Sequence, residues 1–295
     1  MKSNIKQNVS FSKLTTIGAG GPARFYAEPE SVEELVDLLA SAEQNGLPVA
    51  VVGLGSNLLV ADEGFPGLVL KLKAVLAMAK AEDATLMAGG GAPLAVCLHR
   101  ARAAGLGGLE FASAIPGTVG GGVWMNAGAY GSDIAGILVR ALVADAKGAR
   151  WHTPEELGLS YRRSSLRSGQ VVAGAELRLE HGHEEEIREA VARLQAERKA
   201  AQPTNKRTFG SVFKNPEHEL TAGRMLDACG LRGHRIGGAM ISPKHANFIE
   251  NAGKASAANC LALVAEARRR ALEQFGAVLE PEVQLLGPIE IPPLE

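Results

Sequence analysis

The chain has 295 residues, a length typical of one large or two modest domains. Hydrophobic residues make up 46% of it, enough to bury a sizeable core, which argues against a disordered chain. The 31 basic and 32 acidic residues nearly cancel, and aromatic residues are only 4%. This balance argues against a nucleic-acid-binding protein and against a polybasic membrane-surface protein.

The first third of the chain is predicted to combine two helices with short strands. Apolar spacing from Ser31 to Gln44, with Ser31 and Glu34 as a capping box and Gly46 as the stop, predicts an amphipathic helix. A second helix is predicted over 92–104, with Pro93 in its first turn. Short apolar runs predict strands over residues 49–52, 58–60 and 67–72.

The remainder continues as a mixture of strands and helices. A charged helix over 184–202 ends before Pro203 and is the predicted domain boundary. A further helix is predicted after Thr221, and a longer one over 256–275 is stopped by Gly276. Strands are predicted over residues 138–145, 171–179, 246–250 and 283–286. The pattern indicates an α+β or mixed α/β fold.

Glycine is the residue in excess. There are 35 glycines, and nine of them lie within residues 105–131 without a three-residue period. Glycine is used where the backbone must turn tightly or approach a ligand closely. Residues 105–131 are therefore predicted to form a surface rich in exposed backbone.

Two glycine-rich turns are candidate phosphate sites. Gly53-Leu54-Gly55-Ser56-Asn57 follows a predicted strand, and consecutive N–H groups in such a turn can bind an anion. It is neither a Walker A loop nor a complete GxGxxG fingerprint, and a simple tight β-turn is the alternative. The second candidate runs over 115–131, where Thr118 and Asn126 could add hydrogen bonds to a pyrophosphate. Its alternative is a purely structural role.

Three further segments contain chemically useful side chains. Residues 160–165 contain arginines that could bind a carboxylate, residues 208–216 contain Ser211 and Lys214, and residues 279–283 contain two glutamates. The alternatives are a solvated basic turn, a strand end and surface glutamates, respectively. No GxSxG elbow is present, so a hydrolase serine is not indicated.

No metal or disulfide chemistry is indicated. Cys97, Cys229 and Cys260 are far apart and form no CxxC pair, and His181 and His183 lack a third ligand at metal spacing. The N-terminus is polar, and no run of about 18 apolar residues occurs. We therefore expect a cytoplasmic protein without a metal site.

In combination, these segments closely resemble the UDP-N-acetylenolpyruvoylglucosamine reductases, a family of flavoenzymes. The resemblance extends over about residues 9–287 and rests on the order and separation of seven motifs. These are GLGSNLLV (53–60), GLGGLEFASAIPGTVGG (105–121), MNAGAYG (125–131), SYRRS (160–164), GSVFKNP (210–216), KHANFI (244–249) and LEPEV (279–283).

The resemblance implies an α+β fold in two domains. Residues 1–185 would form a two-part FAD-binding domain of the PCMH and vanillyl-alcohol-oxidase type. Residues 186–295 would form a smaller α+β C-terminal substrate-binding domain. The implied residues for non-covalent FAD binding are Gly53, Leu54, Gly55, Ser56, Asn57, Leu58, Ser113, Pro116, Gly117, Thr118, Gly120, Gly121, Asn126, Ala127 and Gly128.

The reaction implied by the resemblance has two halves. NADPH gives a hydride to FAD, and UDP-N-acetylglucosamine enolpyruvate then takes it at C3, giving UDP-N-acetylmuramate for peptidoglycan precursors. The implied catalytic residues are Arg162 and Glu282, which stabilise the enolate, and Ser211, which gives a proton to C2. The implied substrate-binding residues are Tyr130, Lys214 and Asn215.

Two departures from the family pattern are visible. Ala114 stands where many relatives have glycine, and there is no room after Lys206 for the Tyr-bearing substrate loop of the long form. The chain therefore resembles the short form. Two other interpretations remain open from sequence alone: another PCMH-type flavoprotein such as an oxidase, and a non-enzymatic nucleotide-binding protein.

Overall fold

The computed structural model describes residues 5–294. The helices are α1 Val32–Gln44, α2 Leu94–Ala103, α3 Val119–Trp124, α4 Glu184–Ala201, α5 Ala222–Ala228 and α6 Ala257–Phe275. The strands are β1 Lys6–Ser10, β2 Pro22–Ala27, β3 Val49–Val51, β4 Leu58–Val60, β5 Phe65–Leu70, β6 Ala79–Glu82, β7 Thr85–Gly89, β8 Leu106–Gly107, β9 Gly128–Ala129, β10 Ser132–Asp133, β11 Leu138–Asp145, β12 Gly148–His152, β13 Val171–Arg178, β14 Glu180–His181, β15 Thr208–Ser211, β16 Arg235–Ile236, β17 Ala239–Ile241, β18 Phe248–Asn251 and β19 Gln284–Leu286.

Three larger sheets organise these strands. A five-stranded antiparallel sheet has the order β12-β11-β13-β7-β6, and a four-stranded antiparallel sheet has the order β15-β18-β17-β16. A second four-stranded sheet has the order β1-β2-β5-β3, in which β3 and β5 are parallel. Strand β19 pairs in parallel with β4. The predicted α+β class is confirmed.

The described residues fall into two compact units. The first unit consists of residues 5–7, 25–54 and 67–198, and the second of residues 8–24, 55–66 and 199–294. Two hydrophobic clusters lie in the first unit, one around Leu94 and Leu177 and one around Leu35 and Leu70. The core of the second unit contains Phe213 together with the buried face of α6. Each fully buried side chain of this size contributes about 1.5–3 kcal/mol.

Predicted helices with local start and stop signals are confirmed. Ser31 caps α1 by accepting the N–H of Glu34 at 3.2 Å, but the Glu34 carboxylate accepts from Glu30 at 2.8 Å, so the capping box is only half formed. Pro93 is the N-cap of α2 and precedes the first helical residue. Helix α6 has a complete capping box between Ser256 and Asn259 and ends at Gly276 with a φ of 64°.

Helix α3 was not predicted, because three of its six residues are glycines, which disfavour helices. Its packing explains one of them. A Cβ on Gly120 would lie 2.9 Å from the carbonyl oxygen of Gly90 and 3.1 Å from that of Val172. Glycine lets the helix approach the five-stranded sheet closely. The sequence also missed β1, β2, β6–β10, β12, β14, β16 and β17, and it offered β15 only as an alternative.

None of the helices described within residues 5–294 combines the length and the hydropathy that a membrane span requires.

The cap of α6 yields a stability prediction. Ser256→Ala removes the hydroxyl that accepts the N–H of Asn259 at 3.0 Å, so we expect the free energy of unfolding to fall by about 1 kcal/mol. Urea titration followed by circular dichroism measures this loss. Ser168→Ala, in an exposed turn, is the control and should change nothing. Equal stability of the two variants would contradict the capping role.

Candidate active site

The glycine turn after β3 exposes backbone donors. Among residues 5–294, no acceptor is hydrogen-bonded to the N–H groups of Gly53, Leu54, Gly55 or Asn57. The residue before the turn, Val52, still donates its N–H to the carbonyl oxygen of Leu70, in β5, at 2.9 Å. Unpaired N–H groups in succession are the feature that an anion-binding turn requires.

The second glycine-rich segment meets the first within the first unit. A Cβ on Gly53 would lie only 2.5 Å from Oγ1 of Thr118, so glycine is required there. Thr118 is almost fully buried and caps α3 by accepting the N–H of Gly121 at 3.4 Å. The N–H groups of Val119 and Gly120 donate to Ala92 and Gly90, so α3 does not offer them to a ligand.

A buried hydroxyl near this segment lacks a partner. Oγ of Ser113, in the 3-10 helix Glu110–Ala114, is buried and has no hydrogen-bond partner among the described residues. A buried unpaired polar atom is unfavourable unless a ligand or water satisfies it. The open N–H groups of Gly53 and Leu54, the close approach of Gly53 and Thr118 and this hydroxyl all fit a ligand rich in acceptors, such as a dinucleotide.

The side chain of Asn126 organises the structure around it. Its Nδ2 donates to Asp133 at 3.0 Å and to the carbonyl oxygen of Ser160 at 3.1 Å, and its Oδ1 accepts the N–H of Ala135 at 2.9 Å. The residue is 2% exposed and adopts a φ of 39°. Its carboxamide is thus used within the protein, and its assignment to cofactor binding stays a prediction.

Arg162 lies in a strained turn. Ser160 and Arg163 pair with each other across this turn, and Arg162 has a φ of 54°. Its guanidinium donates to the carbonyl oxygens of Gly128 at 2.6 Å and Asn126 at 3.4 Å. A left-handed conformation costs a non-glycine residue about 1–2 kcal/mol. Strain of this kind is concentrated at functional sites.

Tyr130 has the same unusual backbone conformation, with a φ of 55°. Its hydroxyl donates to the carbonyl oxygen of Leu194 at 3.2 Å, and its side chain is about half exposed. Partial burial and the nearby Glu197 carboxylate raise the pKa of the phenol, while Arg198 lowers it. Tyr130 is therefore a neutral hydrogen-bond donor at physiological pH.

In the second unit, two of the predicted catalytic residues lie on adjoining segments. Ser211 ends β15, where it pairs with Phe248. The next residue, Val212, accepts the N–H of Glu282 at 2.8 Å. Asn57, which belongs to the same unit, donates to the carbonyl oxygen of Glu282 at 3.1 Å. Arg162 belongs to the first unit.

Lys214 and Asn215 already have partners within the protein. Nζ of Lys214 lies 2.6 Å from Oε1 of Glu280, and the Lys214 side chain is 14% exposed while that of Glu280 is 70% exposed. Oδ1 of Asn215 accepts the N–H of Ala222, the first residue of α5, at 3.2 Å. An anionic ligand of Lys214 must therefore compete with an exposed carboxylate.

Asn247 is a residue to which sequence reasoning gave no role. It is 4% exposed, and its carboxamide accepts from Phe213 at 2.9 Å and donates to Phe213 at 2.8 Å. The motif that contains it, at 244–249, was recognised as a motif only. The sequence signal that could have singled it out is an Asn within an apolar run that predicts a buried strand. A buried carboxamide needs hydrogen-bond partners.

His245 supports the same loop. Its Nδ1 accepts the N–H of Asn247 at 3.2 Å, and its ring packs edge-on against Phe248. Arg232 donates to the carbonyl oxygens of Pro243 and Lys244. Burial is the main cause that lowers the pKa of His245, and Arg232 lowers it further.

Comparison with known proteins assigns both parts of the chain. Residues 23–153 match an FAD binding domain, and residues 202–286 match the C-terminal domain of UDP-N-acetylenolpyruvoylglucosamine reductase. The chain is 42% identical to the UDP-N-acetylenolpyruvoylglucosamine reductase of Agathobacter rectalis, over 95% of this chain and 93% of that protein. It is 44% identical to the enzyme of the same name from Anaeromyxobacter dehalogenans, over 95% of this chain and 84% of that protein.

A solved structure agrees with these matches. The crystal structure of UDP-N-acetylenolpyruvylglucosamine reductase (MurB) from Thermus caldophilus covers 97% of this chain and is itself covered completely, with a TM-score of 0.84 and 38% identity. The fold and the FAD-binding domain define an FAD-dependent oxidoreductase with a separate C-terminal domain. The chain belongs to the UDP-N-acetylenolpyruvoylglucosamine reductase family. The resemblance seen in the motifs is confirmed, and family membership decides against the oxidase and the non-enzymatic interpretations.

The contact between Gly53 and Thr118 predicts the effect of a methyl group. Gly53→Ala forces the two segments apart, a strain of about 1–3 kcal/mol, and we expect FAD to bind about tenfold more weakly or worse. The flavin-to-protein absorbance ratio after dialysis measures this. Gly136→Ala, whose methyl group would lie 3.6 Å from its nearest neighbour, should retain flavin like the unmodified protein.

The environment of His245 predicts a pH dependence of stability. Because its pKa is lowered in the folded state, the unfolded chain binds the proton first, and stability falls as the pH drops below about 6.5. His245→Asn keeps an acceptor near Nδ1 but does not titrate. We expect the variant to lose less free energy of unfolding than the unmodified protein between about pH 7.5 and about pH 5.5. Identical losses in urea titrations would contradict this.

Proposed function

We propose that this chain catalyses the NADPH-dependent reduction of UDP-N-acetylglucosamine enolpyruvate to UDP-N-acetylmuramate through FAD, a step of peptidoglycan precursor synthesis in the cytoplasm. The observation that carries the proposal is the hydrogen bond of 2.8 Å between the N–H of Glu282 and Val212, next to Ser211. It places on adjoining segments two residues, far apart in sequence, to which we assign roles in the second half of this reaction.

The first half of the proposal concerns the cofactor. When bound, FAD would accept a hydride from NADPH and then donate it to C3 of the enolpyruvyl group. The open N–H groups of Gly53, Leu54 and Gly55 are suited to its pyrophosphate, and the unpartnered hydroxyl of Ser113 to one of its polar atoms. As the sequence predicts, we assign FAD binding to residues 1–185 and substrate binding to residues 186–295. Tyr130 and Arg162 lie within residues 1–185, but their proposed roles are in substrate binding and catalysis.

Ser211 is the proposed proton donor to C2 of the substrate. A serine hydroxyl is a weak acid in water, so it can act only when it is held close to a strongly basic carbon such as that of an enolate. Its position at the end of β15, next to a segment bonded on both sides, supports such close positioning. The proton then comes from a fixed group and the product forms with one stereochemistry.

Arg162 and Glu282 are the proposed stabilisers of the enolate. A guanidinium offers a planar pair of N–H donors that matches a carboxylate, and these donors strengthen as charge develops. Glu282 cannot stabilise an anion as a bare carboxylate, so its role requires a proton on the carboxyl group or a cationic partner. With these roles, Arg162 and Glu282 would recognise the substrate through its carboxylate.

The proposed diphosphate and uridine contacts are Lys214, Asn215 and Tyr130. Lys214 is held near the surface by the exposed Glu280, and a doubly charged diphosphate is a stronger partner for an ammonium group than one carboxylate. Among the described residues, Asn215 bonds through Oδ1 alone, so its Nδ2 is available as a donor. Tyr130 offers a neutral hydroxyl.

The test of the proposal is a two-step anaerobic titration. The purified holoenzyme is first mixed with NADPH. We expect the flavin absorbance to fall at about 450 nm, near the usual absorption maximum of an oxidised flavin. UDP-N-acetylglucosamine enolpyruvate is then added, and the absorbance is expected to return. Reduction by NADPH without reoxidation by this compound would refute the proposed substrate, and a colourless protein would refute the flavin.

Ser211→Ala separates the two half-reactions. We expect flavin reduction by NADPH to stay within about twofold of the unmodified enzyme, while reoxidation by the enolpyruvyl substrate slows by at least about 100-fold, because only the second half needs the proton. Stopped-flow absorbance measures both rates. Thr208→Val, on the same strand, removes a buried hydroxyl that has no partner and is the matched control. Equal loss in both halves would disprove this role of Ser211.

A further inference from the structure

The backbone ladder between β15 and β18 stops at Ser211, which pairs with Phe248. Beyond this pair the ladder is continued by a single residue, Asn247. Its carbonyl oxygen accepts the N–H of Val212 at 2.9 Å. Its carboxamide then accepts the N–H of Phe213 at 2.9 Å and donates to the carbonyl oxygen of Phe213 at 2.8 Å. The side chain thus replaces the next residue of a neighbouring strand.

The surroundings of this contact are closed to water. Asn247 is 4% exposed and Phe213 is 1% exposed. A buried N–H or C=O group that loses its partner destabilises the arrangement that buries it. The main chain of Phe213 therefore has one favourable position, the one in which both of its polar groups face the Asn247 carboxamide.

The opposite edge of the same segment carries the other site residues. Val212 accepts the N–H of Glu282 at 2.8 Å, and the N–H of Lys214 donates to the carbonyl oxygen of Glu280 at 2.9 Å. The segment 211–214 is thus bonded to Asn247 on one edge and to residues 280–282 on the other. A shift of Phe213 moves Ser211, Lys214 and Glu282 together.

We propose that Asn247 is a positioning residue of the reductase, which holds Ser211 and Lys214 in register through the main chain of Phe213. This inference rests on the proposed function, because Ser211 and Lys214 have their roles only in that reaction. Asn247 itself offers no free carboxamide atom for a ligand, since Oδ1 and Nδ2 both bond Phe213. Displacements of about 1 Å at a reacting group can slow a reaction about 100-fold.

The test uses matched Asn→Asp substitutions. Asn247→Asp keeps the oxygen that accepts from Phe213 and replaces the Nδ2 donor with an oxygen facing a carbonyl group. The control is Asn251→Asp in the same unit, where Nδ2 donates to Ile17 at 3.0 Å and Oδ1 accepts from Gly253 and Ala255. Both variants are assayed as holoenzymes well below their melting temperatures, with limiting rates of flavin reduction by NADPH and of reoxidation by the enolpyruvyl substrate.

We expect Asn247→Asp to slow reoxidation by at least about tenfold while flavin reduction at saturating NADPH stays within about twofold. Asn251→Asp should lower the melting temperature without changing the ratio of the two rates. If both variants change that ratio equally, or neither does, Asn247 is structural only and the proposal is overturned. If Asn247→Asp yields no folded holoenzyme, Asn247→Gln is judged by the same ratio, because it retains both polar groups one methylene further out.

The unmodified enzyme separates this inference from the proposed function. Reoxidation of its reduced flavin by UDP-N-acetylglucosamine enolpyruvate tests the function alone. If that reoxidation is absent, the function is wrong and Asn247 has no such role. If it is present and the Asn247 ratio is unchanged, the function stands and the positioning role is wrong.

Discussion

The polar backbone groups of Val212 and Phe213 lie inside the core of the second unit, and each of them needs a hydrogen-bond partner there. All four have one. Asn247 satisfies the N–H of Val212 and both groups of Phe213, and the N–H of Glu282 satisfies the carbonyl oxygen of Val212. Because these partners come from two distant segments, the requirement assembles the Ser211 strand, the Asn247 loop and the Glu282 segment into one arrangement.

A different constraint organises the first unit. Asn126, Tyr130 and Arg162 all have left-handed backbone conformations, which residues other than glycine rarely adopt. Hydrogen bonds offset this cost. The Arg162 guanidinium donates to the carbonyl oxygens of Asn126 and Gly128, and the Asn126 carboxamide donates to that of Ser160. Two turns that would each be strained alone are thereby held against each other.

Local signals in the sequence were sufficient for most of the long elements. The strand over 138–145 and the helix between the Ser256 cap and Gly276 were predicted with these bounds, because alternation and caps depend on neighbouring residues only. Predictions that depend on packing were less accurate. Helix α3 was missed because glycine disfavours helices in isolation, and the contact of Gly120 with Gly90 and Val172 explains one of its three glycines.

The strand predicted over 246–250 is a second example of a prediction that tertiary contacts corrected. It begins at Phe248, because Asn247 uses its carboxamide to bond Phe213 where a further ladder pair would have formed. By itself, the sequence determined the α+β class, the family and the identity of the candidate residues, since motifs and periodicity are properties of adjacent positions. Tertiary structure alone decided which of those residues meet: Gly53 with Thr118, Arg162 with Gly128, and Ser211 with the Glu282 segment. Such contacts depend on hydrogen bonds and steric fit between residues far apart in the chain, and no local pattern encodes them.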